Sequence, residues 1–198
     1  KICWSINFRT YTKKMIDSNI YIKKEISDYH INDDDIRNIE KLKSCILPAD
    51  YKEFLLKYNG GTPNFNAFTI EKEEGSTIRF FFGIDNNISS KRNYDIIKNI
   101  KQSKDRIPEE LLPIACDSFG NRVCIGVKDK HYGKIYFWDH ENEAGSRNPL
   151  DNTIKPWWKN ITLIANSFTD LLNSLCKYEL GDNDESILTY QDGSVKII

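Results

Sequence analysis

The sequence lacks several features that would place a chain in a well-defined class. Its five cysteines are odd in number and none form a C-x-x-C pair, so neither a disulfide framework nor a structural zinc site is expected. The longest apolar runs are short, as at residues 80–82, and fall far below the roughly 18 residues that span a membrane. Residues 1–20 contain no compact apolar block before a small-residue cleavage site. We therefore expect free thiols, no membrane span, no secretory signal and a cytoplasmic location.

An excess of charge of one sign is also missing. The 198 residues include 28 Lys plus Arg and 29 Asp plus Glu, which gives a formal charge of −1. Proteins that bind nucleic acid directly usually show a basic excess, so a general affinity for phosphates is not expected. The length suits one domain with extensions, which can bury about 70% of its unfolded surface without metal or disulfide. A charged partner must be met by a local patch.

The two ends of the chain differ from its centre. Residues 1–31 form a predicted N-terminal extension, in which apolar Ile2, Trp4, Ile6 and Phe8 alternate with polar residues as in a half-buried strand. Residues 1–24 include six basic residues and one acidic residue, which is typical of a solvated face. Residues 178–198 form a predicted acidic C-terminal extension. It is either a mobile tail or one added edge strand at residues 187–190.

Helix signals follow the N-terminal extension. Asn32 can cap a helix whose first turn holds three aspartates, and apolar residues follow at helical spacing. Pro48 is predicted at the first position of a second helix, where proline loses no hydrogen bond. Gly60 and Gly61 end this helix, because glycine adopts the left-handed conformation without a Cβ clash. A third helix is predicted near residues 94–101, and a last helix begins at Ser167.

The centre of the chain shows strand signals. A polar turn at residues 71–75 separates predicted strands at residues 65–71 and 77–84. Three more strands are predicted at residues 112–116, 122–127 and 134–139. Their connections are too short for a parallel crossover, so the core is predicted to be an antiparallel meander. Helices on one face of such a sheet make an α+β fold.

Asp139, His140 and Glu141 are the most reactive-looking group in the sequence. A histidine between carboxylates could bind a metal or move a proton, and a small enzyme using His140 with Asp139 is one hypothesis. Along a strand, however, His140 points away from its two neighbours, and motifs such as H-E-x-x-H and G-x-S-x-G are absent. Cys116 and Cys124 show no activating base and suit core positions. We therefore expect neither a metal nor a catalytic centre.

Aromatic residues concentrate in the last third of the chain. This group comprises Tyr132, Tyr136, Phe137, Trp138, Trp157 and Trp158. Part of it must belong to the core, but aromatic residues at a sheet end beside carboxylates also make a good protein-binding hot spot. The pattern favours an acidic and aromatic surface that would suit a basic partner.

Three segments together resemble the SUKH superfamily, which is named partly for the Smi/Knr fungal cell-wall regulators. Residues 47–61, LPADYKEFLLKYNGG, resemble its L-P-x-[DE]-[YF] to N-G-G signature. The second segment runs from LPIACD at residues 112–117 through Gly120 and Asn121 to GKIYFWDHE at residues 133–141. The third is IANSFTDLL at residues 164–172, which resembles the closing helix of the family. The resemblance covers residues 32–177.

The resemblance implies one α+β domain with helices around a bent antiparallel sheet. Family members are mostly bacterial immunity proteins that neutralise nuclease or deaminase toxins in the cytoplasm, and the family is not known for catalysis or a cofactor. The resemblance therefore implies a non-enzymatic protein whose partner is a toxin domain. Five motif residues map onto positions that hold the fold: Pro48, Asn59, Gly60, Gly61 and Trp138.

A basic toxin would be met by carboxylates near the rim of the sheet. The candidate partner-binding residues are Glu71, Glu73, Glu74, Asp139, His140, Glu141 and Glu143. A second reading is a regulatory scaffold of the Smi/Knr type, which acts in cell-wall synthesis or signalling. It is motivated by the two extensions, which lie outside the resemblance.

Overall fold

The computed structural model describes residues 20–24, 29–71, 74–85, 93–145, 158–180 and 186–197. The helices in these residues are α1 (Asp33–Lys43), α2 (Ala49–Tyr58), α3 (Ile96–Gln102) and α4 (Phe168–Ser174). The strands are β1 (Ile22–Lys23), β2 (Thr62–Pro63), β3 (Ala67–Glu71), β4 (Glu74–Thr77), β5 (Phe80–Phe81), β6 (Leu111–Cys116), β7 (Arg122–Gly126), β8 (Ile135–Trp138), β9 (Ile161–Ala165), β10 (Lys177–Leu180), β11 (Ser186–Thr189) and β12 (Val195–Ile197). The strand predicted within residues 2–8 lies outside the described residues. None of the helices in the described ranges is long and apolar enough to cross a membrane.

A five-stranded antiparallel sheet forms the centre of the domain, with the order β5-β6-β7-β8-β9. The predicted meander is confirmed, since β6, β7 and β8 lie within one or two residues of the expected strands. Every residue of β6 is buried, because helices cover one face of the sheet and a smaller cluster around Trp138 and Tyr136 covers the other. The chain is therefore an α+β domain.

Strand β9 pairs with β8 and was not predicted from the sequence. Four of its five residues are half-buried and the apolar residue Leu163 is exposed. The strand therefore shows no period-two pattern of buried and exposed residues. The missing signal follows from its position, because an edge strand buries neither face completely.

The predicted helix caps at Asn32 and Ser167 are confirmed. The Asn32 side chain accepts hydrogen bonds from the backbone N–H groups of Asp34 and Asp35, and the Asp35 carboxylate accepts one from the Asn32 N–H. Ser167 Oγ likewise accepts from the Asp170 N–H at 3.0 Å. These bonds satisfy donors that a helix N-terminus leaves without a partner.

The second helix differs from its prediction at both ends. Pro48 is the N-cap residue and not the first helical residue, since its ψ of 140° is extended while its carbonyl accepts from the Lys52 N–H. At the other end Asn59, and not glycine, is the left-handed C-cap, with φ 54° and ψ 48°. Asparagine tolerates this conformation because its short side chain can hydrogen-bond nearby. Gly60 and Gly61 continue the chain with positive φ angles of 74° and 120°.

Aromatic side chains join the helices to the sheet. The Phe168 ring of α4 packs against Tyr51 and Phe54 of α2, with ring centroids 5.1 and 4.9 Å apart. Phe54 in turn contacts Phe81 of β5 at 5.0 Å in an edge-on arrangement. The four rings are fully buried, and they fix both helices on the same face of the sheet.

The predicted strand over residues 77–84 is divided between two sheets. Strand β4 pairs with β3 in a separate hairpin, whereas β5 pairs with β6 of the central sheet. The division falls between Ile78, whose N–H donates to the Asn66 carbonyl, and Arg79, whose N–H donates to the Cys116 carbonyl. Consecutive residues thus belong to different ladders, and period-two patterning alone does not reveal such a change.

The chain closes with a three-stranded antiparallel sheet of order β10-β11-β12, hereafter the C-terminal sheet. Of the two alternatives for this region, a strand is found rather than a tail, but β11 covers residues 186–189 and lies in the middle of a sheet, whereas an edge strand was predicted. The C-terminal sheet joins the β3–β4 hairpin through an isolated bridge between Ala67 and Cys176.

Candidate functional site

The Asn59 motif, which comprises Asn59, Gly60 and Gly61, joins the end of α2 to the residues that follow β5. The Asn59 side chain donates to the Ile84 carbonyl at 3.0 Å and accepts from the Ile84 N–H at 2.7 Å. A Cβ on Gly83 would lie 2.1 Å from the Asn59 carbonyl oxygen, and one on Gly60 would lie 2.6 Å from the Phe81 carbonyl oxygen. The two backbones are therefore too close for any side chain, and this motif has a structural role.

A tight loop at residues 117–121 connects β6 to β7, and Asp117 organises it. The Asp117 carboxylate accepts hydrogen bonds from the backbone N–H groups of Phe119, Gly120 and Asn121 at 2.8–2.9 Å. It also accepts from the Asn121 side chain at 2.7 Å and from Ser76 Oγ at 3.1 Å. Asp117 is only 3% exposed, so five donors replace the water that a buried carboxylate needs. We name residues 117–121 the Asp117 loop.

His140 is held against the Asp117 loop. Its backbone N–H and its ring Nδ1 lie 3.0 and 2.8 Å from Asn121 Oδ1, and the ring packs on Gly120. Because the Asn121 amide nitrogen donates to Asp117, the Asn121 oxygen is the acceptor, and His140 Nδ1 is the donor in this contact. The partner of His140 is an amide and not a carboxylate.

Asp139 and Glu143 each form side-chain hydrogen bonds that hold the chain after β8, and Asp139 does so within the turn itself. The Asp139 carboxylate accepts from the Glu141 N–H at 2.9 Å and from the Asn142 side chain at 2.6 Å, so it does not orient His140. Asp139 and His140 therefore have different hydrogen-bond partners, in a turn after β8 where the prediction assumed that the strand continued. The proton-transfer pair of the small-enzyme hypothesis does not form in this arrangement.

Glu143 forms a two-point ion pair with Arg106. The Arg106 Nε and Nη2 atoms lie 2.8 and 2.6 Å from the two Glu143 carboxylate oxygens, and the guanidinium stacks over the buried Trp138 ring. The Glu143 side chain is 17% exposed. Hydrogen bonding to Glu143 raises the pKa of Arg106. The pair covers Trp138, so Glu143 holds the fold as well as lying near the rim.

Three of the remaining predicted acidic residues lie on segments that contact the Asp117 loop from two sides. Glu71 and Glu74 face each other in register across the end of the β3–β4 hairpin, whereas Glu73 lies outside the described residues. Glu141 is exposed on the other side, in a short 3-10 helix. Both sides are fastened to the loop, the hairpin through Ser76 and the β8 end through His140.

The cysteine thiols and the possible metal-binding groups can be described from their surroundings. Burial raises the pKa of the Cys116 thiol to about 11 and that of Cys124 to about 12, so both remain protonated at neutral pH. Burial raises the pKa of the Cys45 thiol as well. Among the residues that the structure describes, no group of three or more His, Cys, Asp or Glu side chains could hold a metal ion.

The aromatic concentration divides between core and surface. Phe137 and Trp138 are buried, and Tyr136 belongs to the small cluster on the second face of the sheet. Trp158 is partly exposed and stacks on His131 at 4.2 Å, while Tyr132 is about half exposed. Trp157 lies outside the described residues.

A cleft of about 1080 Å³ lies between the β3–β4 hairpin, the Asp117 loop and the C-terminal sheet. Phe119, on the loop, is 78% exposed at its rim, the highest exposure of any large apolar residue in the described ranges. The cleft is lined by Ala67, Phe68, Thr69, Ile70, Gly75, Ser76, Thr77, Asp117, Phe119, Asn121, Phe137, Cys176, Tyr178, Leu188, Tyr190 and Lys196. The sequence did not predict it, because its walls come from four separate segments between residues 67 and 196. Only the Asp117 to Asn121 spacing, with its turn residues, gave a local signal.

The fold and its polar network define a small α+β domain in which the motif residues fix turns and close backbone approaches. The SUKH_6 family model, described as SMI1-KNR4 cell-wall, matches residues 33–172. The chain is also similar to the uncharacterized protein YokK, derived from the SPbeta prophage of Bacillus subtilis strain 168, with 31% identity over 162 residues. That match covers 72% of this chain and 74% of YokK. The chain belongs to the SUKH superfamily.

Proposed function

We propose that this chain is an immunity protein that binds and neutralises a bacterial toxin domain without catalysing a reaction. The observation on which the proposal depends is the use of the polar residues. Four polar side chains near the sheet end form hydrogen bonds within the chain, and these are Asp117, Asn121, Asp139 and Glu143. Such a network supports a rigid surface, and a preformed surface lowers the cost of binding a partner.

The family and its relative agree with this function. The resemblance described above implies an immunity protein, the chain belongs to the SUKH superfamily, and YokK is named as a prophage-derived protein. The non-enzymatic character is part of the proposal, and so is action in the cytoplasm, where a toxin would meet its target.

The toxin we propose is basic and of the nuclease or deaminase type. An enzyme that acts on nucleic acid must attract phosphates, so its active site is usually rich in Lys and Arg. The contacts would come from the acidic residues Glu71, Glu73, Glu74 and Glu141. Charge of opposite sign across an interface mainly speeds association and selects the partner.

Co-expression with the toxin encoded beside the gene tests the function. We expect the chain to restore growth of a bacterial host that produces the toxin domain, and to co-purify with that domain. The charge reversal Glu141→Lys should slow association most at low salt, whereas Glu53→Lys, on the exposed side of α2, should not. Failure of both rescue and co-purification would contradict the proposal.

A regulatory scaffold is the second candidate function. The C-terminal sheet extends beyond the residues that match the family model, which adds a surface that the common domain does not need. A scaffold would keep its partners when the toxin is absent. Deletion of residues 178–198 should then abolish those interactions in a protein that still folds, as judged by circular dichroism.

A further inference from the structure

Two arginines lie over aromatic rings at the β5 side of the central sheet. Arg79 Cζ lies 5.7 Å from the centroid of the Phe80 ring, and Arg122 Cζ lies 5.7 Å from that of the Phe82 ring. The two rings contact each other with their centroids 5.8 Å apart, and both are buried. One pair of rings therefore supports both guanidinium groups, and we name Arg79 and Arg122 the arginine pair.

Strand β6 brings both members of the arginine pair to Cys116. The Arg79 N–H donates to the Cys116 carbonyl at 2.8 Å, and Cys116 lies opposite Arg122 in the β6–β7 ladder. Burial raises the pKa of the Cys116 thiol to about 11, and the positive charges of Arg122 and Arg79 oppose this rise. The two cations therefore flank the same residue of β6, one from the start of β5 and the other from β7.

The Asp117 loop fixes the direction of the Arg122 side chain. Arg122 Nη1 donates to the Gly120 carbonyl at 2.6 Å and to the Asn121 carbonyl at 3.2 Å. Its Nε is buried and has no hydrogen-bond partner in the part of the chain that the structure describes. A guanidinium in this position loses hydration, and two neutral carbonyl groups restore only part of it. Arg122 therefore keeps a positive charge that its surroundings do not neutralise.

Neither member of the arginine pair forms an ion pair with a carboxylate of the described residues. Arg106 shows the contrasting arrangement, because it stacks over Trp138 and meets both carboxylate oxygens of Glu143. Trp138 lies opposite Arg122 in the β7–β8 ladder, so both sites lie on the same face of the sheet. On this face one stacked arginine has an internal carboxylate, and two have none within the described ranges.

The chemistry of the arginine pair favours a carboxylate as its ligand. A guanidinium offers a planar fork of N–H donors that matches two carboxylate oxygens, and stacking on a ring keeps this plane in place. Arg79 is exposed and Arg122 is half-buried, so a group from another molecule can reach them. A phosphate carries more negative charge, and the carbonyl oxygens of Gly120 and Asn121 beside Arg122 would repel it more strongly. A singly charged carboxylate suits the site better.

We infer that the arginine pair binds an Asp or Glu side chain of a partner protein. The carboxylate lies between the two guanidinium groups, with one oxygen toward each, and takes the place that Glu143 has beside Arg106. This site goes beyond the proposed function and does not depend on it, since its charge is opposite to that of the acidic residues assigned to a basic toxin. Two contact regions of opposite charge fix the orientation of a bound protein.

Two variants test the site, and a matched control accompanies them. Arg79→Gln removes an exposed charge, and Arg122→Lys keeps the charge but loses the planar fork. The control is Arg37→Gln, because Arg37 is an exposed arginine of α1 that is already paired with Asp34. Thermal unfolding shows whether each variant folds, and Arg79→Gln decides the question if Arg122→Lys does not fold.

The probe is a phage-displayed library of random twelve-residue peptides, selected on the full chain. We expect the selected peptides to share an Asp or Glu, and their synthetic copies to bind Arg79→Gln and Arg122→Lys about tenfold more weakly than they bind Arg37→Gln. Changing the shared acidic residue to its amide should weaken binding to the unmodified chain by a similar factor. The losses from the amide and from Arg79→Gln should not add, because both changes remove the same contact.

Several results would overturn the inference. These are a selection that yields no peptide, peptides without a shared acidic residue, and equal binding by Arg79→Gln and Arg37→Gln. Tighter binding of a peptide with phosphoserine in place of the acidic residue would also overturn it, because the site would then prefer a phosphate. The toxin rescue described above is a separate measurement, so the proposed function can stand or fail independently of this site.

Discussion

Replacement of Asn59 should destabilise the domain strongly, although the residue lies far from the cleft. In Asn59→Ala, the Ile84 N–H and C=O lose their partners in a buried setting, and each costs about 1–3 kcal/mol. Alanine in the left-handed conformation at φ 54° costs about 1–2 kcal/mol more. We expect the free energy of unfolding to fall by about 3–8 kcal/mol, a large share of the roughly 5–15 kcal/mol of a typical domain.

The assay is equilibrium unfolding in urea, followed by the fluorescence of the chain, whose tryptophans include the buried Trp138. Asn59→Gly separates the two effects, since glycine keeps the left-handed conformation and loses only the hydrogen bonds. It should therefore lie between Asn59→Ala and the unmodified chain. The control is Asn173→Ala, at an exposed position of α4. A loss below about 1 kcal/mol in Asn59→Ala would refute the reasoning about buried unpaired groups.

Three further predictions concern an ion pair, a histidine and the thiols. Arg106→Ala should lower the free energy of unfolding by about 1–2 kcal/mol, because it removes the two-point ion pair with Glu143 at a partly solvated site. Desolvation, followed by the charge of Lys130, lowers the pKa of His131 below its ordinary value of 6.5. The neutral ring therefore adds stability above about pH 6.5 that is lost as the pH falls through the lower folded value, and His131→Phe should flatten this dependence in urea unfolding between about pH 5 and 8. Cys116 and Cys124 should react with a thiol reagent far more slowly in the native chain than in urea, as peptide mass spectrometry would show.

Local signals in the sequence predicted most of the elements. Asn32 and Ser167 cap helices because their side chains reach backbone donors only three residues away, which spacing alone reveals. The meander followed from turns too short for any other connection. The prediction placed Pro48 one position too far into the second helix, because proline fits both the N-cap and the first helical position. It placed the end of that helix at glycine, whereas Asn59 adopts the left-handed conformation there.

Long-range partners could not be predicted in this way. The carboxylate of Glu143 looked available for a partner until the fold placed it on Arg106, which lies 37 positions away. His140 has its partner in Asn121, 19 positions earlier, and the cleft depends on a bridge that spans 109 positions. Nothing in the spacing of these residues reveals such contacts, because they depend on the packing of the whole domain.

The Asp117 loop separates what the domain must keep from what it can change. Asp117, Gly120 and Asn121 are fixed by five hydrogen bonds and by the contact of the glycine with His140, whereas Phe119 contributes to this frame only through its backbone N–H. Its side chain can therefore be exchanged for almost any other at little cost in folding. One position in a rigid frame gives evolution, or an engineer, a place to redirect recognition toward a new partner while the rest of the molecule stays as it is.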